Sequence, residues 1–433
     1  MRSGSQRAIA AKSGQRSPSR RALLGLDALN FFLADVRDGL GPYLAIYLIA
    51  VRGPEQGWNE ATIGLVMTIA GIAGLLAQTP AGALIDRGRH KPAILIAAAL
   101  AVTASCVVLP FISDFYLVVG TQSAAAIAGA IFPPVLAAIT LGLVGPKMFA
   151  KRIGRNEAFN HLGNAASAAI AGATAYFFGP VVVFWLMAVL AVFSIGAMLM
   201  VPGKEIDDDL ARGLDDAADH DKPSGLKALM QNRHLMLFAC LCAIFHLANA
   251  AMLTSVGQLL TRVVGKEQAT SLVAVCIVAA QCVMVPMALL VGAKVDAWGR
   301  RPLFLIAFGV LAGRGALYVL SDNPFWLVAV QMLDGVGAGI FGALFPIVVA
   351  DLTRGTGRFN VTQGAVATCQ GLGASISASL AGIIIVQASY SAAFLTLAAI
   401  AAAGFVIYLV AMPETRDYRP SMNDRAALAT TSE

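Results

Sequence analysis

The chain has 433 residues, of which 58% are hydrophobic and only 13% charged, with a mean hydropathy of +0.74. Water-soluble domains carry roughly 25% charged residues, so the composition points away from a soluble enzyme and toward a chain solvated largely by lipid. The formal net charge of +6 comes from basic residues in short segments between apolar runs, a membrane-orientation pattern and not a nucleic-acid footprint.

Taken in chain order, residues 1–21 form a polar, basic tail, and no cleavable leader is expected ahead of the first apolar run. Apolar runs then place membrane spans at 22–50, 61–85, 93–112, 115–144, 157–179 and 180–201, each able to cross a ~30 Å hydrocarbon core as one helix. Only Gly179-Pro180 separates the fifth and sixth, so these form a tight hairpin. Residues 202–233 are the one long polar segment, carrying Asp207, Asp208, Asp209, Asp215, Asp216, Asp219 and Asp221, and read as a solvated cytoplasmic linker. Six more spans follow at 234–261, 269–291, 303–320, 325–350, 363–387 and 391–412, before a second polar tail at 413–433. The six cysteines all fall inside apolar runs without a CxxC pair, so neither disulfide, metal nor cofactor is expected.

Placing both tails in the cytoplasm puts 26 of the 31 Lys and Arg residues on the inside and only Arg52, Arg262 and Lys266 outside. The remaining two, Arg37 and Arg314, fall within spans. The two groups of six spans are copies of one another. Gly82-Ala83 with Asp86 returns as Gly292-Ala293 with Asp296, Phe132-Pro133 as Phe345-Pro346, and Ala171-Gly172 as Ala381-Gly382, at offsets of 210, 213 and 210 residues. Repeated halves with a substrate site at their junction are a common transporter design.

The loop Gly82-Ala83-Leu84-Ile85-Asp86-Arg87-Gly88-Arg89-His90-Lys91 and its copy from Gly292 through Asp296 and Gly299 to Arg300 and Arg301 resemble the signature loops of the major facilitator superfamily. The resemblance covers residues 22–412 and implies an all-α membrane protein with twelve transmembrane helices in two repeated six-helix halves. It implies a secondary transporter of the cell inner membrane, not an enzyme, that moves a small-molecule solute by alternating access. Efflux coupled to protons is the expected mode, proton-linked uptake of a metabolite the alternative, and a monomer the expected state. In the family such loops latch the cytoplasmic ends of the halves together. The fourth span reads Gly120-Thr121-Gln122-Ser123 where the family carries an arginine, and the fifth lacks the Gly-Pro pair of drug antiporters until its end. A membrane sensor without transport is a remote alternative, since no output domain is visible.

Charges at bilayer depth cost several kcal/mol unless paired or hydrated. That singles out Asp35, Arg37 and Asp38 in the first span, where the two acids share a face at i,i+3. Gly39, Gly41 and Pro42 suggest a kink just beyond them. Asp334 in the tenth span is the other deep acid, and a pairing of Arg37 with Asp334 across the halves is one expectation. Together these four are the proton-coupling candidates. His246 and Asn249 share a face of the seventh span and, with Gln122, Gln281, Gln331 and Gln370, are candidates for lining a substrate pathway. Arg155, Asn156, Asn160, His161 and Asn164 read as a capping or gating group. Arg314, some six residues from an outer helix end, is expected to snorkel to the interface. No phosphate loop, catalytic triad or zinc spacing appears.

Overall fold

The computed structural model describes residues 18–38, 60–179, 181–214 and 231–416, together with positions 44, 47, 48 and 58. The expected kink at Gly39, Gly41 and Pro42, the side chain of Asp38, Pro180 and linker aspartates 215, 216, 219 and 221 lie outside the described residues. Among those residues the chain is helical, without strands. In order, α1 is Arg20–Asp38, α2 Glu60–Arg87, α3 Lys91–Val107, α4 Phe115–Gly129, α5 Phe132–Phe178, α6 Val182–Leu199 and α7 the short Asp208–Ala211. The second half runs α8 Arg233–Val264, α9 Lys266–Trp298, α10 Arg300–Leu317, α11 Pro324–Leu352, α12 Phe359–Gln387 and α13 Tyr390–Ala411.

Local chemistry sets many of these ends. Asp114, Asn232, Asn323 and Ser389 each accept hydrogen bonds from backbone N–H groups in the first turn of α4, α8, α11 and α13, satisfying donors that a helix start leaves orphaned. Gly265 and Gly299 take positive φ where one helix stops and the next begins, a conformation glycine adopts without a Cβ penalty. Ten segments among the described residues are long and apolar enough to cross a membrane. One of them, Phe115–Ala175, has 61 residues, or ~90 Å as a straight helix, three times the hydrocarbon thickness. It folds back at Gly145, whose φ of 67° is the non-helical point inside α5, and so provides two passages. α1, more charged, is not one of these ten; counted with them, it brings the passages among the described residues to twelve.

The spans expected at 115–144 and 157–179 leave residues 145–156 as a loop. Instead the helix resumes at Pro146, a residue suited to a first helical position, so Lys147, Lys151, Arg152 and Arg155 are helical residues.

Two hydrophobic cores mirror the duplication, one built on α1, α3 and α6, the other on α8, α10 and α11. The halves meet along two seams, α2 against α12 and α5 against α9. Contact is closest at the end that carries the interhelical loops and the linker, called here the linker end. There a Cβ on Gly82 would collide with the Asn360 carbonyl, and one on Gly154 would sit 2.5 Å from the Ala288 carbonyl and 2.6 Å from Gly292 Cα. Moving along α2 away from that end, Gln78 still touches Gly364 and Leu75 touches Gly371, whereas a Cβ on Gly71 or Gly64 would meet nothing within 4 Å among the described residues. The seam is shut at the linker end and parts toward the far end.

Candidate functional site

At the linker end, Asp86 is the residue of the loop signature that crosses between halves. Its carboxylate, 6% exposed, accepts from the backbone N–H of Asn360 at 3.2 Å and of Val361 at 2.8 Å, and from Asn360 Nδ2 at 2.8 Å. It caps the start of α12 from the opposite half, where orphan amides and the helix dipole favour an anion. Gly82 permits this approach one turn earlier. Arg87 and Arg89 are exposed.

The second copy behaves differently, and the expectation that Asp296 shares in the cross-half latch needs correction. Asp296 is 59% exposed and pairs at 2.8 Å with Arg300 in its own loop. Arg300 also binds Asp351 at 2.9 Å. The backbone N–H groups of Arg300 and Arg301, just past Gly299, donate to Glu414 at 2.9 and 3.0 Å, and the Arg301 guanidinium reaches the Leu409 carbonyl. This loop is anchored to its own half. Gly292, however, does pack against Gly154 across the α5/α9 seam.

Between the seams lie two connected cavities of about 770 and 460 Å³ that share Arg37, Gln78, Pro133, Phe345, Gln363 and Gly371. The first opens along α2 and α12. The second is walled by Asn30, Asn156, Glu157, His246, Asn249 and Gln370. One buried amide atom each of Gln78, Gln363 and Gln370 has no partner among the described residues, which leaves hydrogen-bonding capacity on the cavity wall. His246 holds the Cys242 carbonyl at 3.0 Å through Nδ1 and stands edge-on to Phe341 at 5.0 Å between ring centroids.

The predicted cavity residues therefore divide. His246, Asn249 and Gln370 line the space, as does Arg37. Gln281 instead bonds His161 Nδ1 at 2.7 Å across the α5/α9 seam. Gln122 belongs to neither cavity lining, and its Nε2 is buried without a partner among the described residues. Gln331, also expected on the pathway, is fully buried behind it. It accepts from the Tyr318 hydroxyl and donates to Asp334 Oδ2 at 3.2 Å. Asp35 is half-buried in α1 and is in neither cavity lining.

Asp334 is not the partner of Arg37, and Arg314 does not snorkel. The two pair with each other, linking α10 and α11, with Arg314 1% exposed. Arg314 also donates to Asn249 Oδ1 at 2.7 Å and contacts Met252 Sδ at 3.1 Å. A buried carboxylate and amide on neighbouring helices satisfy the guanidinium better than a distant interface, so it folds inward. Asn249 thus belongs both to this network and to the cavity wall.

Sequence reasoning missed Asp27, Glu157, Gln78, Gln363 and Glu414. Asp27 in α1 accepts from Arg152 at 2.7 Å and from Arg155 at 2.7 and 2.9 Å, while Arg152 Nε also holds Asn156 at 2.9 Å. A third acid in the first span, eight residues before Asp35, was the available signal. Glu157 accepts from Asn160 at 3.2 Å and brings a carboxylate to the inner cavity.

Comparison with known proteins completes the picture. The family model described as Major Facilitator Superfamily matches residues 26–313 and 240–431. An uncharacterised MFS-type transporter of Mycobacterium tuberculosis (strain H37Rv) is 54% identical over 410 residues, covering 94% of this chain and 97% of the relative. The inner membrane transport protein YajR of Escherichia coli is 25% identical over 355 residues, covering 80% and 74%. Among solved structures, the human organic anion transporter MFSD10 superposes with a TM-score of 0.65 at 16% identity, covering 90% of this chain and 99% of that one. The proton:xylose symporter XylE, bound to 6-bromo-6-deoxy-D-glucose, gives 0.68 at 14%, covering 91% and 95%.

Proposed function

The chain belongs to the major facilitator superfamily, and from that premise we propose that this multi-pass membrane protein is a proton-driven secondary transporter that exports a small organic solute. The linker end is read as cytoplasmic, because 26 of the 31 Lys and Arg residues fall on that side of the span assignment or in its tails. Both termini then face the cytoplasm of a cell whose inner membrane holds the protein. In this reading the cavity opens to the outside here, and the closed glycine seams part later in the cycle to receive solute from within.

The observation that carries the coupling proposal is the double membership of Asn249. An acid that takes up a proton gives up its ion pair, so a proton on Asp334 frees Arg314 from its carboxylate partner. Arg314 then retains Asn249, which lines the cavity. The proton and Arg314 thereby compete for the Asp334 carboxylate, and because Arg314 also holds Asn249 on the cavity wall, protonation and cavity occupancy bias each other reciprocally through one guanidinium. Arg37 on the cavity wall, with Asp35 and Asp38 beside it in sequence, is the second place where a proton or an ionic solute group would be held. Export is the direction expected from the family resemblance of a bacterial-type chain.

The test begins with counterflow screening of labelled compounds in proteoliposomes to obtain a substrate. With that substrate, Asp334→Asn should abolish accumulation driven by an imposed proton gradient while exchange at equal concentrations continues. Gradient-driven accumulation by the Asn variant with an unchanged pH profile would remove Asp334 from the coupling role. A gradient that drives solute in the same direction as protons would replace export by uptake.

A further inference from the structure

We infer that residues 206–214, the first part of the segment joining the halves, are a working part of the linker-end gate that closes it through their own contacts, and not slack chain between two domains. This rests on the alternating-access reading. The sequence presents this stretch as an acidic, solvated linker, yet it is folded into the seam. Asp207 accepts from the backbone N–H groups of Asp209 and Leu210 at 2.9 and 3.0 Å, which fixes the single turn of α7. Its own N–H donates to the Gly142 carbonyl at 3.0 Å, and Gly142 lets the chain lie that close, since a Cβ there would stand 2.6 Å from the Asp207 carbonyl.

Asp208 accepts from Lys91 Nζ at 2.7 Å. Lys91 is 1% exposed and also donates to the Gly88 carbonyl at 2.9 Å, so the buried ammonium joins the first signature loop to the strap. These contacts are all to the N-terminal half. Residues 211–213 bind the C-terminal half. The carbonyls of Ala211, Arg212 and Gly213 accept from Asn360 Nδ2 at 2.9 Å, Phe359 N–H at 3.2 Å and Gly355 N–H at 2.7 Å. Ala211 is fully buried and Leu214 nearly so.

Asn360 is the node, because its Nδ2 donates to Asp86 and to Ala211 together. Parting α2 from α12 breaks the Asp86 cap and all three strap bonds along one line. The bonds to Lys91 and Gly142 do not cross that line, so the strap rides with the N-terminal half and releases residues 355–360. Asp208 acts through Lys91 and is a positioning residue.

Spin labels at Arg89 and Trp298, both exposed and on opposite halves at the linker end, read the opening in the full-length, cysteine-free protein in nanodiscs. Asp208→Asn should raise the ratio of long-distance to short-distance populations by about fivefold or more, within the usual range of coupling between two states. Asp208→Glu should return it toward the parent. Amide exchange at Gly355 and Phe359 should accelerate by the same factor in Asp208→Asn. Cutting the chain at a protease site placed between residues 215 and 230, with both fragments retained, should leave the distances unchanged. If the cut opens the gate while Asp208→Asn does not, or if neither alters it, the inference is overturned. A single population under every pH and gradient would instead count against the alternating-access reading itself.

Discussion

The Arg314–Asp334 pair offers a thermodynamic cycle whose terms follow from burial. Arg314 is 1% exposed and Asp334 17%, so Asp334→Asn leaves a guanidinium inside the protein with only neutral partners. Removing one member of a buried pair costs roughly 3–5 kcal/mol, and the new asparagine oxygen returns about 1 kcal/mol as a neutral hydrogen bond. The expected loss is therefore about 3 kcal/mol. Arg314→Met is milder, about 2 kcal/mol, because Asp334 keeps Gln331 Nε2 as a donor and reaches solvent. With Arg314 replaced by Met, an asparagine at 334 no longer faces an unpaired buried charge, so Arg314→Met with Asp334→Asn should cost about 2 kcal/mol, well below the sum of the single losses. Unfolding free energies in mixed micelles measure all three. Additive losses would mean the two side chains stabilise the half independently, and the proposed competition between a proton and Arg314 for Asp334 would lose its physical basis.

Two further expectations concern the gate. Asp86→Asn keeps the shape but loses the charge-assisted bonds to Asn360 and Val361, worth roughly 1.5–3 kcal/mol, so the long-distance population between labels at the linker end should rise about tenfold or more. Unaltered distances with normal transport would reduce that loop to an orientation signal. Gly154→Val places a branched side chain where a Cβ already meets the Ala288 carbonyl at 2.5 Å; the linker end should fail to close, and cysteines introduced along the inner cavity should react with reagent from the linker side in the variant alone. Equal reactivity in parent and variant would contradict the close glycine seam.

Much of the architecture is legible in the chain because it rests on local or repeated signals. Apolar run length gives the spans, and paired glycines at one offset give the seams. What is not legible is which charge meets which. Asp27 and Arg152 are 125 residues apart, and nothing in either neighbourhood names the other. Arg314 lies close enough to a helix end to suggest the interface, and only the packing of α8, α10 and α11 turns it inward. The acidic run after Pro202 carries the composition of a solvated segment, but Asp207 and Asp208 are spent on a helix cap and a buried lysine. Composition reports the average of that segment and hides the two residues that hold it down.

The duplication also explains why the two signature loops do different work. At the shared offset of 210 residues, Gly154 over Ala288 corresponds to Gly364 over Gln78, and both pairs bring backbones into contact. That part of the design is symmetric. The polar part is not. The amides that Asp86 caps, at Asn360 and Val361, open α12, which begins at Phe359 and so has orphan N–H groups to offer. Their counterparts at Ala150 and Lys151 lie inside α5, which resumes at Pro146 just past the break at Gly145. Those amides are already spent within the helix. Among the described residues Asp296 therefore has no hydrogen-bond donor across the α5/α9 seam and pairs with Arg300 in its own loop. One half-helix that starts a turn earlier is enough to leave the α5/α9 seam without a carboxylate cap, held instead by glycine contact and the His161–Gln281 bond. The α2/α12 seam gains both the Asp86 cap and the linker strap, and it is along this seam that a change of charge has most leverage over closure.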